Sequence, residues 1–344
     1  MGGLALVVDR RGASLEEGNH GTVVVRHADG TRERVGVKAL STVVLNGDVM
    51  VSTHLLRVLA QEGVGVVLLP VRGLAQSVGF TRLPHGMTTL RHAQHLVYAN
   101  PEHRLAMARL VVAAKADAQL QLQASWGFDV DQQQAQMGAS LAQANSIAAL
   151  MGVEGALARA HFARMAVQLG QDWAFGGRER RPPGDPFNAL LSLGYTLARE
   201  ATAQLALRWG LDLEAGFLHS IQPSRPSLTL DLMEPVRAVV EAWTLELIGC
   251  GTKPAEPRDA TFDSQSALSG SAYPPKAVIT LESFSDNLAD GWRLNKAARA
   301  LYYQHWFATG QVQVLHHARP LLARMLQQLR LYRHSVGCTA ETTT

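Results

Sequence analysis

The hydrophobic period changes once along this 344-residue chain, near residue 85, and that change constrains the fold more than any other feature. Before it, apolar residues come in short β-branched runs. LALVV (4–8), TVVVRH (22–27), RERVGV (32–37), STVVL (41–45) and VGVVLLPV (64–71) read as strands separated by turn residues. Asp29-Gly30 falls between two of them and predicts a hairpin with a two-residue type I′ turn. One helix interrupts the series. Ser52 can cap it, Leu55, Leu56, Val58 and Leu59 give it an apolar stripe, and Gly63 ends it. From Leu90 onward the spacing is three to four, over 90–124, 139–169, 187–209, 236–248, 293–308 and 314–334. The fold class expected is therefore α+β: an N-terminal β domain (1–85) with one embedded helix, then an all-α domain (86–344). Residues 249–276, rich in Pro, Gly, Ser and Asp, read as a flexible connection, and the glutamines of 119–136 as a solvated helix end or loop.

Composition narrows the class. Hydrophobic residues make up 47 % and charged residues 18 %, which excludes a largely disordered chain. The net charge of +3 permits a nucleic-acid partner without demanding one. Two cysteines, Cys250 and Cys338, form neither a disulfide framework nor a zinc pattern, so a cytoplasmic location is expected. MGGLALVVDRR lacks a basic leader and reads as a first strand, and no apolar run reaches the ~18 residues of a membrane span.

Three segments of the helical half set charged or imidazole groups among apolar neighbours: LMGVEGALARAHF with Glu154, LEAGFLHS with His219, and SLTLDLMEPVR with Asp231 and Glu234. Buried charges require a partner or a metal. Two carboxylates and an imidazole brought together from separate helices suit Mg²⁺ or Mn²⁺, the imidazole favouring Mn²⁺. A structural alternative stands beside this for the third segment. Asp231 and Glu234, followed by Pro235, also have the spacing of a capping box with Asp231 as N-cap. In GGRERRPPGDPFNALLSLGYTL, Arg178, Arg180 and Arg181 precede a stiff Pro182-Pro183, and Asp185 can cap the helix that follows. Such a loop either contacts phosphate backbone or is a solvated segment paired with Glu179 and Asp185.

Taken in order, these segments resemble the CRISPR-associated Cas-one family, the integrase subunit of spacer acquisition. VEGALARAHF is similar to its glutamate motif, GRERRPPGDPFNALLSLGYTL to its most recognisable block, and GFLHSIQPSRPSLTLDLMEPVR to the stretch joining its histidine to its second acidic ligand. In the first part, VVDRRGASL and RERVGVKALSTVVLNGDVMVSTHLLRVLAQEGVGVVLL match too, and the likeness runs to about residue 248. The resemblance implies Glu154, His219 and Glu234 as metal ligands and catalytic residues, with Asp231 at a nearby assisting position. It implies Mg²⁺ or Mn²⁺ as cofactor and double-stranded prespacer and repeat DNA as substrate. It also implies a homodimer through residues 1–85 and a Cas-two partner protein. Arg178, Arg180, Arg181 and Arg237 are the phosphate contacts expected near the site. The expected reaction is transesterification, joining a DNA 3′-hydroxyl to a repeat border. The alternatives are a metal-dependent nuclease on branched DNA in repair and a catalytically silent DNA-binding scaffold.

Overall fold

The computed structural model describes residues 4–9, 12–69, 78–80, 88–179, 182–250, 277–285 and 291–335. Most of the 249–276 connection, Cys338, Arg180 and Arg181 lie outside them. The chain forms a strand-rich N-terminal region followed by a mostly helical one, the α+β arrangement that the period change predicts.

The N-terminal strands are β1 (Leu4–Val8), β2 (Ser14–Gly18), β3 (Thr22–Arg26), β4 (Arg32–Gly36), β5 (Leu40–Leu45) and β6 (Met50–Val51). Helix α1 (Thr53–Gln61), β7 (Gly65–Leu68) and β8 (Val78–Phe80) follow. They build two sheets, ordered β1-β5-β7-β8 and β4-β3-β2-β6. In the first, β1, β5 and β7 are parallel and β8 is antiparallel to β7. Leu6, Val8, Leu15, Val23, Val25, Val43, Leu45 and Val66 from the strands meet Leu55 and Leu59 of α1 in one buried cluster. Helix α1 starts where the sequence says: Ser52 accepts from the Leu55 N–H at 3.1 Å, and Gly63 follows its end at φ +72°.

Two local expectations change. The hairpin between β3 and β4 closes through a longer loop than a two-residue turn. Arg26 pairs with Arg32, and the His27 N–H donates to the Thr31 carbonyl at 3.0 Å. Gly30 is at φ +83° whereas Asp29 is not at positive φ, so one left-handed residue does the work that type I′ asks of two. Strand β2, SLEEG, carries no β-branched run and is held as a strand by pairing with β3 and β6.

The helices are α2 (Thr88–Ala99), α3 (Pro101–Ser125), α4 (Asp131–Gln143), α5 (Ile147–Leu169), α6 (Pro186–Leu207), α7 (Ser227–Leu247), α8 (Lys296–His305) and α9 (Gln311–Ser335). A two-strand ribbon, β9 (Phe284–Ser285) with β10 (Arg293–Leu294), precedes α8. The 90–124 segment is two helices because Asn100 stops one and caps the next, its Oδ1 accepting from the Glu102 and His103 N–H groups, with Pro101 in the first turn. Ser146 divides 139–169 in the same way, accepting from the Ala149 N–H. Helix α7 starts nine residues before the expected 236 and runs through Pro235. Leu228, Leu232, Val236, Val240 and Trp243 are all buried along it, and this continuous stripe outweighs the ~3 kcal/mol that an internal proline costs. Asp231 is therefore the fifth residue of the helix, and the capping-box alternative for Asp231 and Glu234 does not hold.

By internal contacts the chain divides into two compact units: Met1–Met107, Thr196–Met233 and Tyr303–Thr344 form the first, Ala108–Tyr195 and Glu234–Tyr302 the second. Among the described residues, no helix is long and apolar enough to cross a membrane. Replacing the α1 cap, Ser52→Ala, is expected to lower unfolding stability by about 1 kcal/mol, while Ser52→Asp keeps it; urea denaturation followed by circular dichroism measures both.

Candidate active site

His219 belongs to the first unit, in the segment between α6 and α7, and backbone capture sets its position. The fully buried Gln94 of α2 donates from Nε2 to the carbonyls of Asp212 (2.9 Å) and Ala215 (2.7 Å) and accepts from the Asp212 N–H through Oε1. Arg104 Nε donates to the Phe217 carbonyl at 3.0 Å, and the Tyr98 hydroxyl accepts from the Ile221 N–H at 3.2 Å. Gly216 sits so close to the start of α7 that a Cβ there would lie 2.6 Å from the Ser227 carbonyl group and 2.8 Å from the His219 carbonyl oxygen.

Asp231, with no exposed side-chain surface, completes the capture. Oδ2 accepts from the N–H groups of Phe217 and Leu218, and Oδ1 from the His219 N–H at 3.0 Å and from His219 Nδ1 at 2.7 Å. Four donors on one buried carboxylate are charge-assisted and compensate its desolvation. An ionised carboxylate only accepts, so Nδ1 carries the proton, and in the neutral imidazole the lone pair is then on Nε2. This is the arrangement by which a carboxylate fixes the tautomer of a metal-ligating histidine.

The two glutamates belong to the second unit. Glu154 lies on the buried stripe of α5, between Leu150 and Leu157, and Glu234 is on α7. Both bond to the ammonium of Lys115 on α3: Nζ donates to Glu234 Oε2 at 2.6 Å and to Glu154 Oε1. Lys115 and Glu234 are each 4 % exposed and Glu154 is 24 % exposed. The other oxygen of Glu234, Oε1, accepts from Arg237 Nε at 3.1 Å. Arg237, expected among the DNA contacts, has its guanidinium over the Tyr195 ring at 5.1 Å. Burial opposes its charge, but Glu234, Tyr195 and Glu241 overcome that and push its pKa above the usual guanidinium range.

About two turns further along the same helices lies a second polar layer, 154 giving way to 161, 234 to 241 and 115 to 123. His161 Nε2 is 2.7 Å from Glu241 Oε2, and Gln123 Nε2 is 3.0 Å from His161 Nδ1. The Tyr195 hydroxyl donates to Glu241 Oε1, and Arg164 donates to Gln123 Oε1. Burial works against the Glu241 charge; His161, the Tyr195 hydroxyl and Lys115 more than offset it and hold the carboxyl below the ordinary range. Burial and the neighbouring Glu241 push the Tyr195 phenol well up. Gln119 and Gln123 are thus buried, which corrects the solvated reading of that glutamine run, whereas Gln132 and Gln134 are exposed on α4 as expected.

The arginine loop is pinned at its base. Arg178 donates to Asn188 Oδ1 at 2.8 Å and Ser192 Oγ at 3.0 Å and lies 5.3 Å from the Tyr195 ring centre. Asp185 caps α6 through the Asn188 N–H at 2.7 Å, and its burial raises its pKa. Glu154 and Glu234 therefore share one ammonium, and His219 and Asp231 form a pair. Among the described residues, no three His, Cys, Asp or Glu side chains are grouped so as to hold a metal ion. Lys115 escaped the sequence reading, although it stands in LVVAAKA by the same logic that singles out Glu154.

Solved structures share this fold. A Cas1 protein from Thermotoga maritima superposes with a TM-score of 0.75 over 99 % of each chain at 19 % identity. A casposase bound to integration product gives 0.68 over 93 % of this chain and 82 % of that one, also at 19 % identity. The architecture is thus that of the Cas1 proteins. The profile described as "CRISPR associated protein Cas1" matches residues 6–261. The CRISPR-associated endonuclease Cas1 3 of Thermus thermophilus is 36 % identical over 290 residues, covering 84 % of this chain and 78 % of that one. The chain belongs to the CRISPR-associated Cas1 family, the Cas-one family that its motifs resemble.

The depressed Glu241 carboxyl carries a pH dependence with a definite sign. Its stabilisation is complete above its ordinary pKa of 4.5 and is lost as pH falls below that value through the folded-state one. Glu241→Gln is expected to lower the melting temperature at pH 7 and to flatten its fall as pH drops below 4.5. Differential scanning fluorimetry across that range checks it; an unchanged acid limb means that the second polar layer contributes nothing to acid stability.

Proposed function

We propose that this chain is a metal-dependent DNA integrase of CRISPR adaptation, able to use water in place of a DNA hydroxyl and so to act as an endonuclease. The observation that carries the reading is the meeting of Glu154 and Glu234, from helices 80 residues apart in sequence, on one buried cationic centre. A place that draws two glutamates around an ammonium suits a divalent cation as well, and oxygen donors with a lone-pair imidazole nitrogen fit Mg²⁺ or Mn²⁺.

Glu154, Glu234 and His219, through Nε2, are the residues assigned to hold the ion. When bound, it supplies Lewis acidity at a phosphoryl oxygen and favours the deprotonated form of the attacking hydroxyl. Asp231 has the supporting role: it fixes the His219 tautomer and holds the turn that carries it. Arg237 holds Oε1 of Glu234, and Lys115 holds both glutamates together. Arg180 and Arg181 are assigned to phosphate contacts, because Arg178 is tied to Asn188 and Ser192.

The names of similar proteins support the coarser reading, a CRISPR-associated nuclease with a Cas2 partner. A relative from Chlorobaculum tepidum, 32 % identical over 72 % of this chain, is called a CRISPR-associated endonuclease Cas1. A solved "Cas6-RT-Cas1--Cas2 complex" shares the fold at a TM-score of 0.70, over 95 % of this chain and 35 % of that one. We extend the reading to double-stranded DNA as substrate, a Cas2 partner, and a homodimer through the strand-rich N-terminal region.

Two isosteric variants separate ligand from support. Glu234→Gln is expected to stay folded but to melt below wild type, because it leaves the buried Lys115 and Arg237 short of one negative charge, and to lose strand transfer by about 10³-fold or more under saturating Mn²⁺. Asp231→Asn keeps the size of the side chain but cannot accept from every donor, and retains more activity than Glu234→Gln. The reverse order, with Glu234→Gln active and Asp231→Asn dead, makes Asp231 the ligand. For DNA binding, replacing Arg180 and Arg181 together by Ala is expected to reduce the slope of log affinity against log salt by up to about two units. An unchanged slope in fluorescence anisotropy returns the loop to a purely solvated role.

A further inference from the structure

An ammonium with only 4 % of its side chain exposed is an unusual occupant of a proposed metal centre. Lys115 touches both proposed ligands, its Nζ bonded to Glu234 Oε2 at 2.6 Å and to Glu154 Oε1. Together with Arg237 on Glu234 Oε1, it leaves two negative and two positive formal charges that cancel. That balance is complete without any metal. A dication added to it would leave two uncompensated positive charges among buried groups, which is costly at low dielectric. Arg237 is the less suitable charge to move, because it bonds Glu234 and lies over the Tyr195 ring. Lysine has a compact charge on a flexible four-carbon stem, and α3 anchors it only through that stem.

We propose that Lys115 is the resident countercation of this site. It holds the carboxylates of Glu154 and Glu234 together while no metal is bound, and it gives up that seat when a divalent cation enters. Metal uptake is then an exchange of one cation for another. The metal-free protein avoids the repulsion of two adjacent carboxylates, and the metal has to displace a bound charge to enter. The inference rests on Glu154 and Glu234 being ligands, as proposed above.

The test is Mn²⁺ binding to the full chain without DNA, followed by the electron paramagnetic resonance signal of free Mn²⁺, with melting temperatures in chelator and in Mn²⁺. Lys115→Met is expected to melt lower than wild type in chelator, to bind Mn²⁺ about tenfold more tightly, and to gain more in melting temperature from Mn²⁺. A residue that merely supports the ligands behaves in the opposite way, its loss weakening metal binding by about 10–100-fold. That result, or an unchanged affinity, overturns the proposal. Should Lys115→Met not fold, Lys115→Arg decides: its guanidinium fork keeps the charge and grips the carboxylates, so Mn²⁺ binds no more tightly than to wild type. Tighter binding to Lys115→Arg also overturns the proposal. Glu234→Gln separates the two levels. If it binds Mn²⁺ like wild type, the ligand assignment fails. If it binds weakly while Lys115→Met binds no more tightly than wild type, only the countercation role fails.

Discussion

Charge compensation inside the helical region is the constraint on which the site depends. Glu234, Glu241, Lys115 and His161 are all buried, and a buried charge without a partner costs several kcal/mol. Apart from the Glu234–Arg237 pair within α7, the partners meet across helices: α3 brings Lys115 and Gln123, α5 brings Glu154 and His161, α6 brings Tyr195, and α7 brings Glu234 and Glu241. Apolar packing alone tolerates a helix slipping by a residue. These pairs do not, because a slip would strand several charges at once. The polar layers therefore set the axial register of the helices that carry the two glutamates.

The histidine is placed by different means. Its segment has no regular structure, so its backbone groups need partners from elsewhere. Gln94, Tyr98, Arg104 and Asp231 supply them and leave the imidazole with one defined tautomer. A rigid scaffold thus holds an irregular segment as firmly as a helix would. Asp231 serves both ends: it is a buried charge of α7 and the acceptor that binds the turn.

Local signals made much of this legible in the sequence. The β-branched runs, the Ser52 cap, the Asp185 cap and the three acidic or imidazole segments all act within a few residues, and the structure keeps them as elements or as buried or partly buried groups. What the sequence concealed was long-range. Strand β2 exists because β3 pairs with it, and α7 crosses Pro235 because its apolar stripe is buried on both sides. Lys115 and Gln123 read as ordinary helix residues until α5 and α7 bring acceptors and donors to them. The spacing held a faint clue, seven residues from Glu154 to His161 and seven from Glu234 to Glu241, but a two-turn repeat has meaning only once the facing helices are known.

Gly216 bears on how this segment can evolve. Any side chain there would press on the backbone of Ser227 and His219, and backbone cannot swing aside as a side chain can. Its neighbours a few residues on, Ile221, Gln222 and Pro223, are exposed and meet no such barrier, whereas Ser224 is at φ +59°, where few side chains are tolerated. Drift can therefore rewrite 221–223 more freely, while the inner half is locked by a residue that makes no chemical contribution of its own. A gene library randomised across 212–226 would return active clones diverse at 221–223 and uniform at 216, a pattern of permitted change set by the missing Cβ rather than by the histidine.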